Sequence, residues 1–119
     1  MVMESLGYEN PQLDAVFGAL ADPTRRAILA RLAQGKASVT EIAQPFEISQ
    51  PAISRHLKVL ERAGLITREV DEQRRLAVLQ GDRLEAAAGW IDHFSRFWTT
   101  SFDQLDGLLA DLQKDEPDE

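Results

Sequence analysis

The chain has 119 residues, of which 44% are hydrophobic, and its formal net charge at pH 7 is -7. This length suits one domain, and no apolar run approaches the roughly 20 residues that a membrane span needs. The absence of cysteine excludes disulfides, thiolate metal sites and cysteine redox switches. Because no basic region followed by an apolar stretch opens the chain, we expect a cytoplasmic protein.

The negative charge is distributed unevenly along the chain. Residues 103–119 carry seven acids and one base, whereas residues 50–83 carry seven bases and five acids. A net acidic charge disfavours binding to nucleic acid, but the distribution of charge matters more than the total. The basic segment is therefore a candidate for contact with a polyanion, although a net charge of +2 is not a strong basic patch.

Two helices are predicted after an N-terminal arm. We expect residues 1–12 to form a flexible arm. The next apolar residues have the spacing of one helical face: Leu13, Val16, Phe17 and Leu20. Asp22 and Pro23 are typical of a second helix start, as N-cap and first helical residue, and Gly35 is a plausible stop.

Residues 38–64 have the pattern of a helix-turn-helix. Ser38 and Glu41 are spaced as a capping box that opens a short helix. Ser49 is positioned to cap a second, longer helix, and Gly64 is positioned to end it. The order of cap, short helix, tight turn, cap, longer helix and glycine stop is that of a helix-turn-helix motif.

Two β-type runs follow, at residues 65–70 and 74–79. The polar segment 71–73 joins them, so they are predicted to form a hairpin. A hairpin directly after a helix-turn-helix is a wing. The expected fold class is therefore mainly α with a small β-hairpin wing.

A heptad pattern marks the last part of the chain. Its two rows are Leu84, Ile91, Trp98, Leu105 and Leu112, and Ala88, Ser95, Phe102 and Leu109. A seam of this length favours helix pairing between two chains, and the alternative is one helix or two packed on their own domain. We expect one winged helix-turn-helix domain over residues 13–112, including a long C-terminal dimerisation helix, and an acidic disordered tail over residues 113–119.

The second helix of the motif would present its early exposed side chains to the major groove. These residues are Gln50, Pro51, Ser54 and Arg55. Glutamine can bond adenine and arginine can bond guanine in a bidentate way, while Lys58 suits a phosphate. The alternative is that this is only the solvated face of a helix. His56 is expected to bond within the chain or to contact a phosphate or base.

The wing carries three arginines: Arg68, Arg74 and Arg75. Arginine near a hairpin tip can follow the DNA backbone or enter the minor groove. Asp71 and Glu72 at the tip would repel phosphates, which disfavours a deeply inserted tip. Arg74 and Arg75 are therefore the favoured wing contacts.

Two segments resemble the ArsR/SmtB family of repressors. ALADPTRRAIL at residues 19–29 is similar to that family's opening helix pair, and SQPAISRHLKVLERAGL at residues 49–65 is similar to its recognition helix and stop. The match covers residues 13–80, and the C-terminal helix is similar in kind. The resemblance implies a winged-helix homodimer that represses an operator of two-fold character, with its first and last helices at the interface.

Pattern and resemblance together assign two sets of residues. The expected DNA contacts are Ser49, Gln50, Pro51, Ser54, Arg55, His56, Lys58, Arg68, Arg74 and Arg75. The expected dimer contacts are Leu13, Val16, Phe17, Leu84, Ile91, Phe94, Trp98, Phe102, Leu105 and Leu109. Double-stranded DNA and a second copy of the chain are the expected partners, and no membrane is expected.

The sequence departs from the family's metal sensors. Their thiolate motif would fall at residues 39–46, where this chain has no cysteine. Their other site uses pairs of Asp and His on the last helix, where this chain has only Asp92 and His93, adjacent residues that point about 100° apart on a helix. We therefore expect no metal and no cofactor.

Aromatic residues cluster near the C-terminus: Trp90, Phe94, Phe97, Trp98 and Phe102. A packed dimer interface is favoured, and an apolar pocket for a small ligand or a surface for a partner protein are the alternatives. An enzyme is the weakest candidate, because no nucleophile lies beside a credible base and no glycine-rich phosphate loop is present. The alternative to a DNA-binding regulator is a winged-helix protein-interaction module that does not read DNA sequence.

Overall fold

A computed structural model of the chain describes residues 10–114, without the side chains of Thr100, Phe102, Gln113 and Lys114. The expected arm lies outside the described residues up to residue 9. The expected tail, residues 113–119, lies outside them from residue 115, and residues 113 and 114 belong to the last helix rather than to a disordered tail. The dimer contact assigned to the Phe102 side chain also lies outside the described part of the chain. Within the described range, no helix is both long and apolar enough to cross a membrane.

The described residues form six helices and three strands. The helices are α1 (Pro11–Leu20), α2 (Pro23–Leu32), α3 (Val39–Ala43), α4 (Gln50–Arg62), α5 (Asp82–Asp92) and α6 (Ser95–Lys114). The strands are β1 (Ala37–Ser38), β2 (Ile66–Asp71) and β3 (Arg74–Leu79). The chain divides into two compact units, with the boundary between Ala88 and Gly89.

Polar side chains fix the start of each of the first four helices. The Asn10 side chain accepts hydrogen bonds from Gln12 N and Leu13 N, so α1 begins at Pro11 and residues 11 and 12 are helical rather than part of the arm. Asp22, Ser38 and Ser49 each accept a backbone N–H three residues ahead: those of Arg25, Glu41 and Ala52. The predicted caps and the predicted capping box are therefore confirmed.

The core of the first unit is apolar and draws on every early helix. Ile28, Ile42, Ile53, Leu57 and Leu60 are 0% exposed. Three of these five lie on α4, so the inner side of α4 is held by burial that stabilises the fold by about 1.5–3 kcal/mol per side chain. This packing fixes which side of α4 faces outward.

The end of α4 is a Schellman motif. Leu65 N donates to Leu60 O at 2.9 Å, and Gly64 N donates to Glu61 O at 3.0 Å. Gly64 has φ +77°, in the left-handed region that suits glycine. A Cβ at Gly64 would lie 2.7 Å from Arg83 Cδ. The predicted glycine stop is confirmed.

The wing belongs to a three-stranded antiparallel sheet in the order β1-β3-β2. The predicted hairpin pairs Ile66 with Leu79 at one end and Asp71 with Arg74 at the other. Strand β1 was not predicted, because two residues are too few to show an alternating pattern. Its Ala37 pairs with Ala77, which joins the wing to the segment that precedes α3.

The heptad pattern spans two helices rather than one. Helix α5 ends at Asp92, and α6, with 20 residues, is the long C-terminal helix. Between them His93 N donates to Trp90 O and Phe94 N donates to Ile91 O, both in the three-residue pattern of a tight turn. A repeat of seven does not reveal such a turn, because the apolar rows continue on both sides of it.

Candidate nucleic-acid interface

Helix α4 presents most of the expected base-contacting side chains to solvent. Ser49, Gln50, Pro51, Arg55 and Lys58 are exposed, and Ser54 and His56 are half-buried. Their placement follows from the burial of the opposite side of α4. Gln50 Nε2 lies 3.4 Å from Thr40 Oγ1 of α3, to which it donates a long hydrogen bond. The two helices of the motif are therefore linked at the exposed face.

Three cations follow one line along α4. Arg55, Lys58 and Arg62 are exposed and fall at spacings of three and four residues, which places them on one side of a helix. Within the described part of the chain none of the three has an ion pair or side-chain hydrogen bond. We call these residues the basic stripe. Sequence reasoning missed Arg62 as a site residue, although its spacing of seven from Arg55 was a usable signal.

The wing arginine Arg74 is held by an acidic side chain. Its guanidinium forms an ion pair with Glu41 of α3. The same Glu41 carboxylate oxygen accepts hydrogen bonds from Ser38 N at 3.3 Å and Ser38 Oγ at 3.0 Å. These bonds from Ser38, together with the charge of Arg74, hold the pKa of Glu41 below its ordinary value. Arg74 is therefore neutralised within the chain.

The other cations on the wing or beside it differ in whether their charge is already paired within the chain. Arg75 is exposed and has no ion pair within residues 10–114. Arg68 is half-buried, and its buried Nε has no hydrogen-bond partner. Lys36 lies 3.0 Å from Glu69 of β2, and this contact raises the pKa of Lys36. Of the two favoured wing contacts, Arg75 is the one with an unpaired charge.

His56 bonds within the chain. Its Nδ1 lies 3.4 Å from Arg25 Nη1 and 3.9 Å from an Asp22 carboxylate oxygen. The pKa of Asp22 is below its ordinary value because the Arg25 backbone N–H donates to the carboxylate, with added attraction from the Arg25 and His56 side chains. Of the two roles considered for His56, the structure favours the internal bond.

The expected dimer contacts of the first unit are largely occupied by their own chain. Val16 is 1% exposed and packs into the core, so it has almost no surface left for a partner and its assignment to the interface is corrected. Leu13, Phe17 and Leu84 are half-buried and pack against the same core. Partial burial leaves each of these three some outer surface.

The second unit has a long exposed apolar face. Its large exposed side chains are Ile91, Phe94, Phe97, Leu105, Leu108, Leu109 and Leu112. Trp98 is half-buried. We call Trp98, Leu105, Leu109 and Leu112 the apolar stripe, because their spacing places them on one side of α6. So much exposed hydrophobic surface on one helix is typical of an interaction site.

An open groove of about 630 Å³ lies beside this face. Its lining residues are His93, Phe94, Arg96, Phe97, Ser101 and Gln104. The Phe94 ring packs edge-on against Trp90, with 5.2 Å between ring centroids. Across residues 10–114, no group of three or more His, Asp or Glu side chains converges as a set of metal ligands.

A helix-turn-helix followed by an antiparallel hairpin defines a winged helix-turn-helix protein, and here the second helix carries a basic stripe that is unpaired within residues 10–114. The family model that matches residues 20–69 is described as a helix-turn-helix domain. The HTH-type transcriptional regulator Rv2034 of Mycobacterium tuberculosis is 43% identical over 101 residues, which cover 82% of this chain and 90% of that protein. The transcriptional repressor SdpR of Bacillus subtilis is 37% identical over 82 residues, which cover 69% and 91%.

Solved structures agree with the sequence matches. The ArsR family transcriptional regulator RHA00566 has 36% identity and a TM-score of 0.66, covering 74% of this chain and 91% of its own. The homodimeric winged helix-turn-helix DNA-binding domain of Mb0332 from Mycobacterium bovis has 27% identity and a TM-score of 0.57, covering 81% and 83%. The chain belongs to the ArsR/SmtB family of transcriptional regulators.

Proposed function

We propose that the chain is a homodimeric repressor that binds an inverted-repeat operator and does not sense a metal. The observation that carries this proposal is the basic stripe of α4, since three exposed cations without a partner among residues 10–114 are available to phosphates or base edges. The names of SdpR as a repressor and of the Mb0332 domain as a DNA-binding homodimer support it.

In the proposed complex, the start of α4 enters the major groove. Gln50 and Arg55 are exposed there and carry the donors and acceptors that read adenine and guanine. Ser54 adds a hydrogen bond from a short side chain, and Pro51 adds an apolar contact. Lys58 and Arg62, farther along the stripe, suit phosphates. In helix-turn-helix proteins, the recognition helix lies in the major groove with its N-terminal residues against the base edges.

The wing is proposed to follow the DNA backbone. Arg75 is exposed and has no ion pair in the described range, so it contacts a phosphate without first losing an internal partner. Arg74 contacts a phosphate only if its ion pair with Glu41 is first broken. Asp71 and Glu72 are exposed at the tip of the hairpin, so the tip itself stays outside the minor groove.

A second copy of the chain is proposed to cover the apolar stripe of α6. Leu105 and Leu109 are 48% and 47% exposed, and they share one helical side with Leu112 at 55%. Burying this row between two chains removes apolar surface from water. A two-fold dimer also contains two recognition helices, which predicts two half-sites about 34 Å apart along the DNA. A small apolar ligand or a partner protein is the competing occupant.

The test is a selection from fragmented genomic DNA of the source organism at near-physiological salt, with bound fragments sequenced. Recovery of a few sites with an inverted repeat is the expected result, and affinity for them falls steeply as salt is raised. Arg55→Ala is the matched variant, with operator affinity reduced about 5- to 150-fold if Arg55 reads a base. Recovery of random fragments only, by wild-type protein, would favour the protein-interaction module.

A further inference from the structure

Arg25 lies where three helices of the first unit meet. Its Nε donates to Ala19 O at 2.7 Å and its Nη2 donates to Gly18 O at 3.2 Å, both at the end of α1. Its Nη1 lies 3.4 Å from His56 Nδ1 on α4. Arg25 itself belongs to the first turn of α2, and its backbone N–H donates to the Asp22 cap.

The contact with Arg25 favours one tautomer of neutral His56. An arginine guanidinium only donates hydrogen bonds, so a hydrogen bond in this contact requires His56 Nδ1 to accept, which corresponds to the neutral imidazole with its ring hydrogen on Nε2. One planar guanidinium bonds α1 and α4 at the same time because its five N–H groups point in fixed directions. A lysine ammonium at this position keeps the charge but not the fork.

We propose that Arg25 is a positioning residue for DNA recognition, which it achieves by holding His56 and therefore the rotation of α4. The proposal rests on the proposed function of α4 as the recognition helix. His56 directly follows Arg55, whose side chain is assigned to a base. At the surface of a helix, about 5 Å from its axis, a rotation of about 20° displaces a side chain by about 2 Å, which is enough to break a hydrogen bond.

Arg26 provides a matched control beside it. Its Nη1 donates to Leu20 O at 2.8 Å, so it also binds a carbonyl at the end of α1. Arg26 is exposed, and no hydrogen bond or ion pair joins its side chain to α4 in the described part of the chain. Arg25→Ala and Arg26→Ala therefore remove the same charge and hydrogen bonds to the end of α1, two for Arg25 and one for Arg26, but only Arg25→Ala removes the contact with His56.

The experiment measures the affinity of both variants for the selected operator and for random DNA of the same length. We expect Arg25→Ala to weaken operator binding about 5- to 50-fold, while Arg26→Ala changes it less than twofold and both variants lose the same small amount on random DNA. The Arg25→Ala and His56→Ala changes should also be non-additive, because they break one contact. Arg25→Lys should resemble Arg25→Ala.

Equal losses in Arg25→Ala and Arg26→Ala, or full additivity with His56→Ala, would overturn the proposal. Circular dichroism and thermal unfolding check that the variants fold, and Arg25→Lys keeps the test decisive if Arg25→Ala does not. A readout without DNA separates this proposal from the proposed function. In nitrogen-15 spectra of the wild-type protein, neutral His56 should carry its hydrogen on Nε2, and Arg25→Lys should change the Nδ1 shift of His56 but not that of His93.

Discussion

Glu41 is the side chain through which α3 contacts both β1 and the wing. One of its carboxylate oxygens accepts from the Ser38 backbone and hydroxyl, and the same carboxylate pairs with Arg74 of the wing. Because its pKa is lowered, Glu41 stabilises the fold above its ordinary pKa, and that contribution is lost as the pH falls through the lowered value. The same charge also offsets a wing arginine that could otherwise bind phosphate.

Glu41→Gln should strengthen DNA binding about two- to fivefold, because an exposed ion pair of this kind is worth about 0.2–1 kcal/mol and its loss frees Arg74. Glutamine still serves a capping box, so the start of α3 is kept. Glu69→Gln is the control, since it removes an equal charge near the wing but frees Lys36 instead. The measurement is fluorescence anisotropy on operator DNA, and equal gains in the two variants would show that only net charge matters.

Single residues differ in how far the sequence reveals them. Ser38 and Glu41 of the capping box are three residues apart, so their spacing alone predicted the box correctly. The Glu41 and Arg74 pair joins residues 33 apart, and the Arg25 and His56 contact joins residues 31 apart. Such contacts depend on how the helices and the sheet pack, which no local pattern reports. For that reason the sequence did not predict that Arg74 is neutralised.

At the scale of elements, the C-terminal end of α4 is a sensitive point. Gly64→Ala should lower the free energy of unfolding by at least about 1–2 kcal/mol, because it forces a left-handed backbone on a residue with a Cβ. That Cβ also meets the Arg83 side chain, which donates to Ala63 O at 3.1 Å. Chemical denaturation followed by circular dichroism measures the change.

Gly18→Ala is the matched control for this change. Gly18 lies inside α1, and a Cβ there would have no atom within 4 Å. Alanine should therefore raise the free energy of unfolding by about 0.5–1 kcal/mol, since glycine is the poorer helix former. A similar loss of stability in both variants would contradict the role given to the left-handed conformation.

Most elements were predictable because their signals are local. Caps, a glycine stop and apolar spacing placed α1 to α4 and the hairpin close to where they lie. Strand β1 was not predicted because its two residues acquire strand geometry only by pairing with β3. The turn between α5 and α6 was not predicted because the heptad rows continue through it.

For the whole molecule, the decisive expectation concerns assembly. Leu105→Glu should convert a dimer into a monomer, because it places a charge on a face that a second copy is proposed to bury. Leu105 is 48% exposed within the single chain, so the substitution does not disturb a packed core. Light scattering over a range of protein concentrations measures the mass, and operator binding should weaken together with dimer loss.

Ala110→Glu controls for the added charge. Ala110 is exposed on α6 but lies off the apolar stripe, about 100° from Leu109. This variant should remain dimeric and bind the operator as the wild-type protein does. If Leu105→Glu stayed dimeric, the dimer interface would lie elsewhere than on α6. The apolar stripe would then be a binding surface for a ligand or a partner protein.

The acidic tip of the wing also has a consequence for the search through a genome. Asp71 and Glu72 lie in the hairpin beside Arg74 and Arg75, the cations proposed to approach the DNA backbone. Attraction to any duplex is mainly a matter of neutralised phosphates, so we expect acids beside these cations to weaken binding to random sites. Chromosomal DNA, with its millions of competing sites, then sequesters few copies. We therefore expect a small cellular pool of the protein to be enough to keep an operator occupied.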